Sequence, residues 1–229
     1  LSATDRPKAG PTSSAGRGAA SAASVAALDW DKACAHLQRT DRVMRKLIKT
    51  HAGTRLQSRG DPFQTLARSI IGQQISVKAA QTVWDRFCAA VPEVAPAHLL
   101  GLSEEALRAC GLSGRKAGYV RDLATKFHEG EVHPDKWQDM PDDAIAAELL
   151  SIRGIGRWTA DMFLIFHLMR PDVLPLGDLG LIKGVSQTYF AGEPVTQSEV
   201  REVAAAWAPW RSVGTWYIWR SLDPLPVNY

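Results

Sequence analysis

Helix-start signals recur along nearly the whole chain, each followed by apolar residues at the 3.6-residue period, and that pattern constrains the fold more than any other feature. In DPFQTLARSIIGQQIS, Asp61 offers a capping oxygen and Pro62 takes the first helical position. Phe63, Leu66, Ala67, Ile70 and Ile71 then repeat along one face. Ser76 opens VKAAQTVWDRFCAAV, with Val77, Ala80, Val83, Trp84, Phe87 and Cys88 on one side. Ser103 caps a short helix ending at Gly111, and Ser113 caps another over GRKAGYVRDLATKF. PDDAIAAELLSI reads as a further helix, and Thr196 with Glu199 forms the T-x-x-E pattern of a capping box. Neither period-2 alternation with hairpin chemistry nor an internal repeat occurs. The sequence predicts an all-α fold with short loops.

At 229 residues and 45% hydrophobic content, the chain is long enough to bury a full core, in one large domain or two smaller ones. Residues 1–27 are rich in Gly, Ser, Ala and Pro, too poor in large apolar groups to offset the entropy of ordering, and read as a flexible tail. The net charge of +3 permits an acidic partner without requiring one. Cys34, Cys88 and Cys110 have no ligand-like spacing and read as reduced thiols, and none of the six histidines clusters into a metal site. No apolar run reaches the roughly 20 residues of a membrane span, and the start lacks a secretory h-region, so a cytoplasmic protein is expected.

In LLSIRGIGRWTADMFLIF, residues 149–166, Gly154 and Gly156 sit in a short turn between two helical segments. Glycines there permit close backbone approach, and the unpaired N–H groups at the next helix start favour an anion, with Arg157 beside them. On spacing alone, a plain helix–helix corner fits slightly better. A Walker A loop is excluded because no G-x-x-x-x-G-K-[ST] is present, and a helix rather than a strand precedes the turn, against a dinucleotide loop. Asp178, between Gly177 and Gly180 in RPDVLPLGDLG, reads in isolation as a turn or helix cap. Asp161 and Asp172 read as structural. Trp207, Trp210, Trp216 and Trp219 crowd the C-terminal region as core or as a binding surface.

Taken together, L-x-x-I-x-G-I-G-R-W-T-A, LPLGDLGLIK and WAPWRSVGTWYIWR resemble the helix-hairpin-helix (HhH-GPD) DNA glycosylases, the bacterial 3-methyladenine glycosylase II type most closely. IIGQQISVKAA and GLSGRKAGYV extend the resemblance, which covers about residues 40–222. It implies a monofunctional glycosylase that flips an alkylated purine out of duplex DNA, hydrolyses its N-glycosidic bond and leaves an abasic site. Asp178 is then the catalytic carboxylate, stabilising positive charge on the sugar or helping to activate water. Trp158 and Trp219 line the base pocket with Gln73 and with Arg220, which stands where the best-known relatives have an aromatic. Strand-cutting relatives carry a Schiff-base lysine at the position of Trp158, so no lyase activity is expected.

The same resemblance implies DNA contacts from Arg153, Gly154, Gly156, Arg157 and Thr159 in the hairpin, with Arg153 replacing a common proline. Gln74 in GQQIS falls at the position that inserts into DNA, and Arg115, Lys116 and Lys183 are further phosphate candidates. No cofactor is required; a monovalent cation, sodium or potassium, is implied on the carbonyls of Leu150, Ile152 and Ile155. An iron–sulfur cluster is excluded because no cysteine lies beyond Cys110. Two helical lobes are expected, residues 61–170 with the hairpin and residues 28–60 with 171–229, the active-site cleft between them. A compact form without an N-terminal mixed α/β domain, and a monomer, are expected. A non-catalytic helix-hairpin-helix DNA-binding module is the alternative, and the aspartate and tryptophan blocks argue against it.

Overall fold

A computed structural model describes residues 28–58 and 60–222; the expected flexible tail, residues 1–27, lies outside the described residues. Twelve α-helices and no strand occur among them: α1 Trp30–Thr40, α2 Arg42–Thr50, α3 Pro62–Gly72, α4 Val77–Ala89, α5 Pro96–Leu100, α6 Glu104–Ala109, α7 Gly114–Glu129, α8 Asp142–Leu150, α9 Arg157–Phe166, α10 Leu179–Tyr189, α11 Gln197–Ala205 and α12 Arg211–Leu222. The caps sit where the side-chain chemistry places them. Asp61 accepts from the Gln64 N–H at 3.0 Å, and Ser76, Ser103 and Ser113 each accept from the N–H three residues on. Thr196 and Glu199 complete the reciprocal capping box.

The helices pack as two groups, with α3 to α9 in one and α1, α2, α10, α11 and α12 in the other. The first group is built on the apolar face of α3, whose Phe63, Leu66, Ala67, Ile70 and Ile71 are all buried, as their spacing predicts. Full burial of an apolar side chain of this size contributes about 1.5–3 kcal/mol. In the second group Asp41, N-cap of α2, accepts from the Val43 and Met44 N–H groups and from Tyr189 and Trp207. Four donors thus satisfy one buried carboxylate and tie α2, α10 and the end of α11 together.

The loop between α9 and α10 is stitched to the first turn of α12. Buried Ser212 donates to the Arg170 carbonyl at 2.6 Å and accepts from the Val173 N–H at 3.0 Å. Arg211 grips Asp172 through Nε at 2.6 Å and Nη2 at 2.8 Å. These bonds fix the approach to Asp178 relative to the helix that carries Trp219.

Candidate active site

Asp178 is the N-cap of α10, and its Oδ1 accepts from the Leu181 N–H at 2.6 Å. Trp219 of α12 donates its indole N–H to the same oxygen at 2.8 Å, and Trp158 of α9 donates to Oδ2 at 2.7 Å. The carboxylate is therefore held by one backbone and two indole donors, with 9% of its surface exposed. Oδ1 has both its lone pairs engaged, while Oδ2 keeps one for an incoming group. Trp158 stays 41% exposed, so its ring presents a face outward while its N–H is anchored. Behind Trp219, Phe166 at the end of α9 stacks on the indole with centroids 5.5 Å apart and planes 9° from parallel. One helix, α9, thus supplies Trp158 from its first turn and Phe166 from its last.

Arg220 lies deep in the core, with its guanidinium 4.5 Å from the Trp216 ring centroid. Gln73 Nε2 donates to the Gly154 carbonyl at 2.9 Å and joins α3 to the hairpin. Asp161 is buried and accepts from Arg157 Nε at 2.9 Å. Burial pushes its carboxyl above the usual carboxylate range, and the Arg157 guanidinium offsets part of that rise.

The hairpin is α8, a six-residue turn and α9. Gly154 has φ +88, and an added Cβ would stand 2.3 Å from Cδ2 of Tyr119, so glycine is required twice over. Gly156 has φ −100, and a Cβ there would meet nothing within 4 Å, so no internal packing demands glycine. It is the N-cap of α9 and offers no capping side chain, leaving the N–H groups of the first turn facing outward. Arg153 is exposed with its N–H on Asp122 at 2.8 Å, and Arg157 is exposed as well. Thr159 is buried. The Ile152 carbonyl already accepts from the Ile155 N–H at 3.1 Å.

Gln74, at the tip of the turn after α3, is exposed and left-handed with φ 59. Ile75 beside it is 41% exposed, and Val77, placed by its spacing on the apolar side of α4, is 86% exposed because it sits in the first turn, ahead of the buried Phe87. Arg115 and Lys183 lie on the surface. Lys116 Nζ donates to the carbonyls of Ile71 and Gln73 at 2.7 and 2.6 Å. Leu179, next to Asp178, is 79% exposed.

The family described as HhH-GPD superfamily base excision DNA repair protein matches residues 67–209, more than half of the chain. The chain belongs to the HhH-GPD superfamily. Among relatives, it is 29% identical to DNA-3-methyladenine glycosylase 1 of Schizosaccharomyces pombe, over 83% of this chain and 86% of that protein. A putative DNA-3-methyladenine glycosylase of Bacillus subtilis is 30% identical, over 77% of this chain and 64% of that protein, so this HhH-GPD chain spans just under two thirds of it. A DNA-3-methyladenine glycosidase structure from Bacillus halodurans superposes with a TM-score of 0.78 at 32% identity, covering 86% of this chain and 91% of the other. The S. pombe 3-methyladenine DNA glycosylase, solved in complex with abasic DNA, superposes at 0.73 with 28% identity, covering 86% and 100%. No helix among the described residues of this HhH-GPD protein is long and apolar enough to cross a membrane. Nor do three or more His, Cys, Asp or Glu side chains among them form a metal-binding group.

Proposed function

We propose that the chain is a monofunctional DNA glycosylase that hydrolyses the N-glycosidic bond of alkylated purines, the 3-methyladenine type, in duplex DNA as a step of base excision repair. The observation that carries this reading is the convergence of Trp158 and Trp219 on the two oxygens of Asp178. As the glycosidic bond lengthens, positive charge develops at the sugar, and a carboxylate already oriented by three N–H donors stabilises it without reorganising. Alkylation makes the purine a good leaving group, which lowers the demand for a general acid. Water completes the hydrolysis at the sugar carbon, and an abasic site remains. The exposed face of Trp158 supplies an electron-rich surface for a cationic base.

DNA is held, in this reading, by the outward N–H groups after Gly156, with Arg153 and Arg157 alongside and Gln74 filling the space the base leaves. A monovalent cation suits the neutral carbonyl oxygens of Leu150, Ile152 and Ile155, which are hard ligands, and the Ile152 oxygen retains one lone pair for it. The test is release of free base from a duplex carrying a methylated purine, with an intact strand until alkali is added. Wild-type protein at high concentration that releases no base while still binding the duplex would sink the proposal in favour of a binding module.

A further inference from the structure

We propose that Lys116 is a positioning residue for the insertion turn: its ammonium clamps the peptide that holds Gln74 in its left-handed conformation. This inference rests on the glycosylase reading for its DNA arms and on geometry alone for the rest. A glutamine at φ 59 is disfavoured by its Cβ and persists only where the surroundings over-determine it. The Gln73 carbonyl belongs to the peptide linking Gln73 to Gln74, and Lys116 Nζ holds it at 2.6 Å. A second bond from Nζ to the Ile71 carbonyl at 2.7 Å caps the C-terminal end of α3, where cations are favoured. Rotation of the 73–74 peptide, the motion that would relax Gln74, therefore breaks a charge-assisted bond.

The clamp extends further. The Gln73 side chain donates to the Gly154 carbonyl at 2.9 Å, and the Tyr119 ring, one turn along α7 from Lys116, lies under Gly154. One face of α7 thus fixes the insertion turn and the hairpin together, two separate segments that meet DNA in the proposed function. Desolvation lowers the Lys116 ammonium from its ordinary value, in keeping with a group turned inward to carbonyls.

Two readouts test the clamp. In free protein, the NMR order parameter of the Gln74 amide should fall from about 0.85 to below about 0.6 in Lys116→Met. On a lesion duplex, Lys116→Met should lower 2-aminopurine flipping fluorescence and slow single-turnover base release by about tenfold or more. The slope of log Kd against log salt should stay unchanged, and Lys116→Arg, which keeps the donors and the charge, should recover most of the rate. A slope reduced by about 0.9 with flipping intact would make Lys116 a phosphate ligand and overturn the proposal. Unchanged order parameter and rate would overturn it too. If Lys116→Met does not fold, Lys116→Gln carries the same test, with an intermediate loss of flipping at constant salt slope. Wild-type protein that releases no base overturns the glycosylase reading instead, and the clamp is then decided by the Gln74 order parameter.

Discussion

The Phe166 ring lies flat against the Trp219 indole, whose N–H points at Asp178 Oδ1 2.8 Å away. Removing the ring unbacks the indole and leaves its donor free to swing. Phe166→Leu gives up the ring stack and some volume at a partly buried position, so it should cost about 1–2 kcal/mol of stability and slow base release by about tenfold. Urea denaturation and single-turnover assays read the two effects separately. A rate loss no larger than the stability loss explains would show that the stack is packing alone.

Asp178 has two jobs, and substitution can separate them. Asn keeps the N-cap through its single oxygen, but its amide nitrogen cannot accept from Trp158, so Asp178→Asn should fold with a loss of about 1 kcal/mol while losing most base release. Asp178→Ala also loses the cap and should be destabilised by about 1 kcal/mol more. Thermal melts alongside a base-release assay check this, and a folded Asn variant with full activity would remove Asp178 from the chemistry.

The two hairpin glycines should respond in opposite ways. Gly154→Ala meets both a left-handed φ and the Tyr119 ring, so it should destabilise by more than about 1 kcal/mol. Gly156→Ala meets nothing inside the protein, so it should melt within about 0.5 kcal/mol of wild type. Under the proposed function its new methyl group stands in the way of a phosphate, and DNA affinity should fall at least fivefold in a titration at fixed salt.

Asp161 gives a pH signature. Its folded carboxyl is raised above its unfolded value, so the folded state binds the proton more tightly, and this group's contribution to stability falls as pH rises through that window. Asp161→Asn should flatten that part of the curve. The variant should match or exceed wild type by up to about 1 kcal/mol at pH 7, the gap closing as pH falls toward 4, because the Arg157 it releases is largely exposed. Urea midpoints from pH 4 to 7 measure the difference.

Much of the fold was legible because caps and apolar period are local properties. Asp61, Ser76, Ser103, Ser113 and the Thr196–Glu199 box all cap as read. The site was legible only in part. Asp178, Trp158 and Trp219 stood out by their motifs and do meet, yet nothing local told that both indoles donate to one carboxylate from two different helices. Phe166 was invisible because an aromatic at the end of an apolar run looks like core. The carbonyl bonds of Lys116 and Gln73 were hidden for a related reason: a polar side chain near a turn serves backbone carbonyls as readily as an outside ligand, and only the fold shows the bond. Ile75 carried a signal that was not used, an apolar residue outside any buried face.

Gly156 and Trp158 are two residues apart on the start of α9, and Trp158 is bonded to Asp178. The helix start at Gly156 and the carboxylate of Asp178 are therefore linked through two residues of chain and one hydrogen bond. Under the glycosylase reading that spacing works as a ruler: a phosphate seated at the helix end fixes which nucleotide along the strand is offered to Asp178. Under that same reading, to inspect the neighbouring nucleotide the protein has to release that phosphate and take the next.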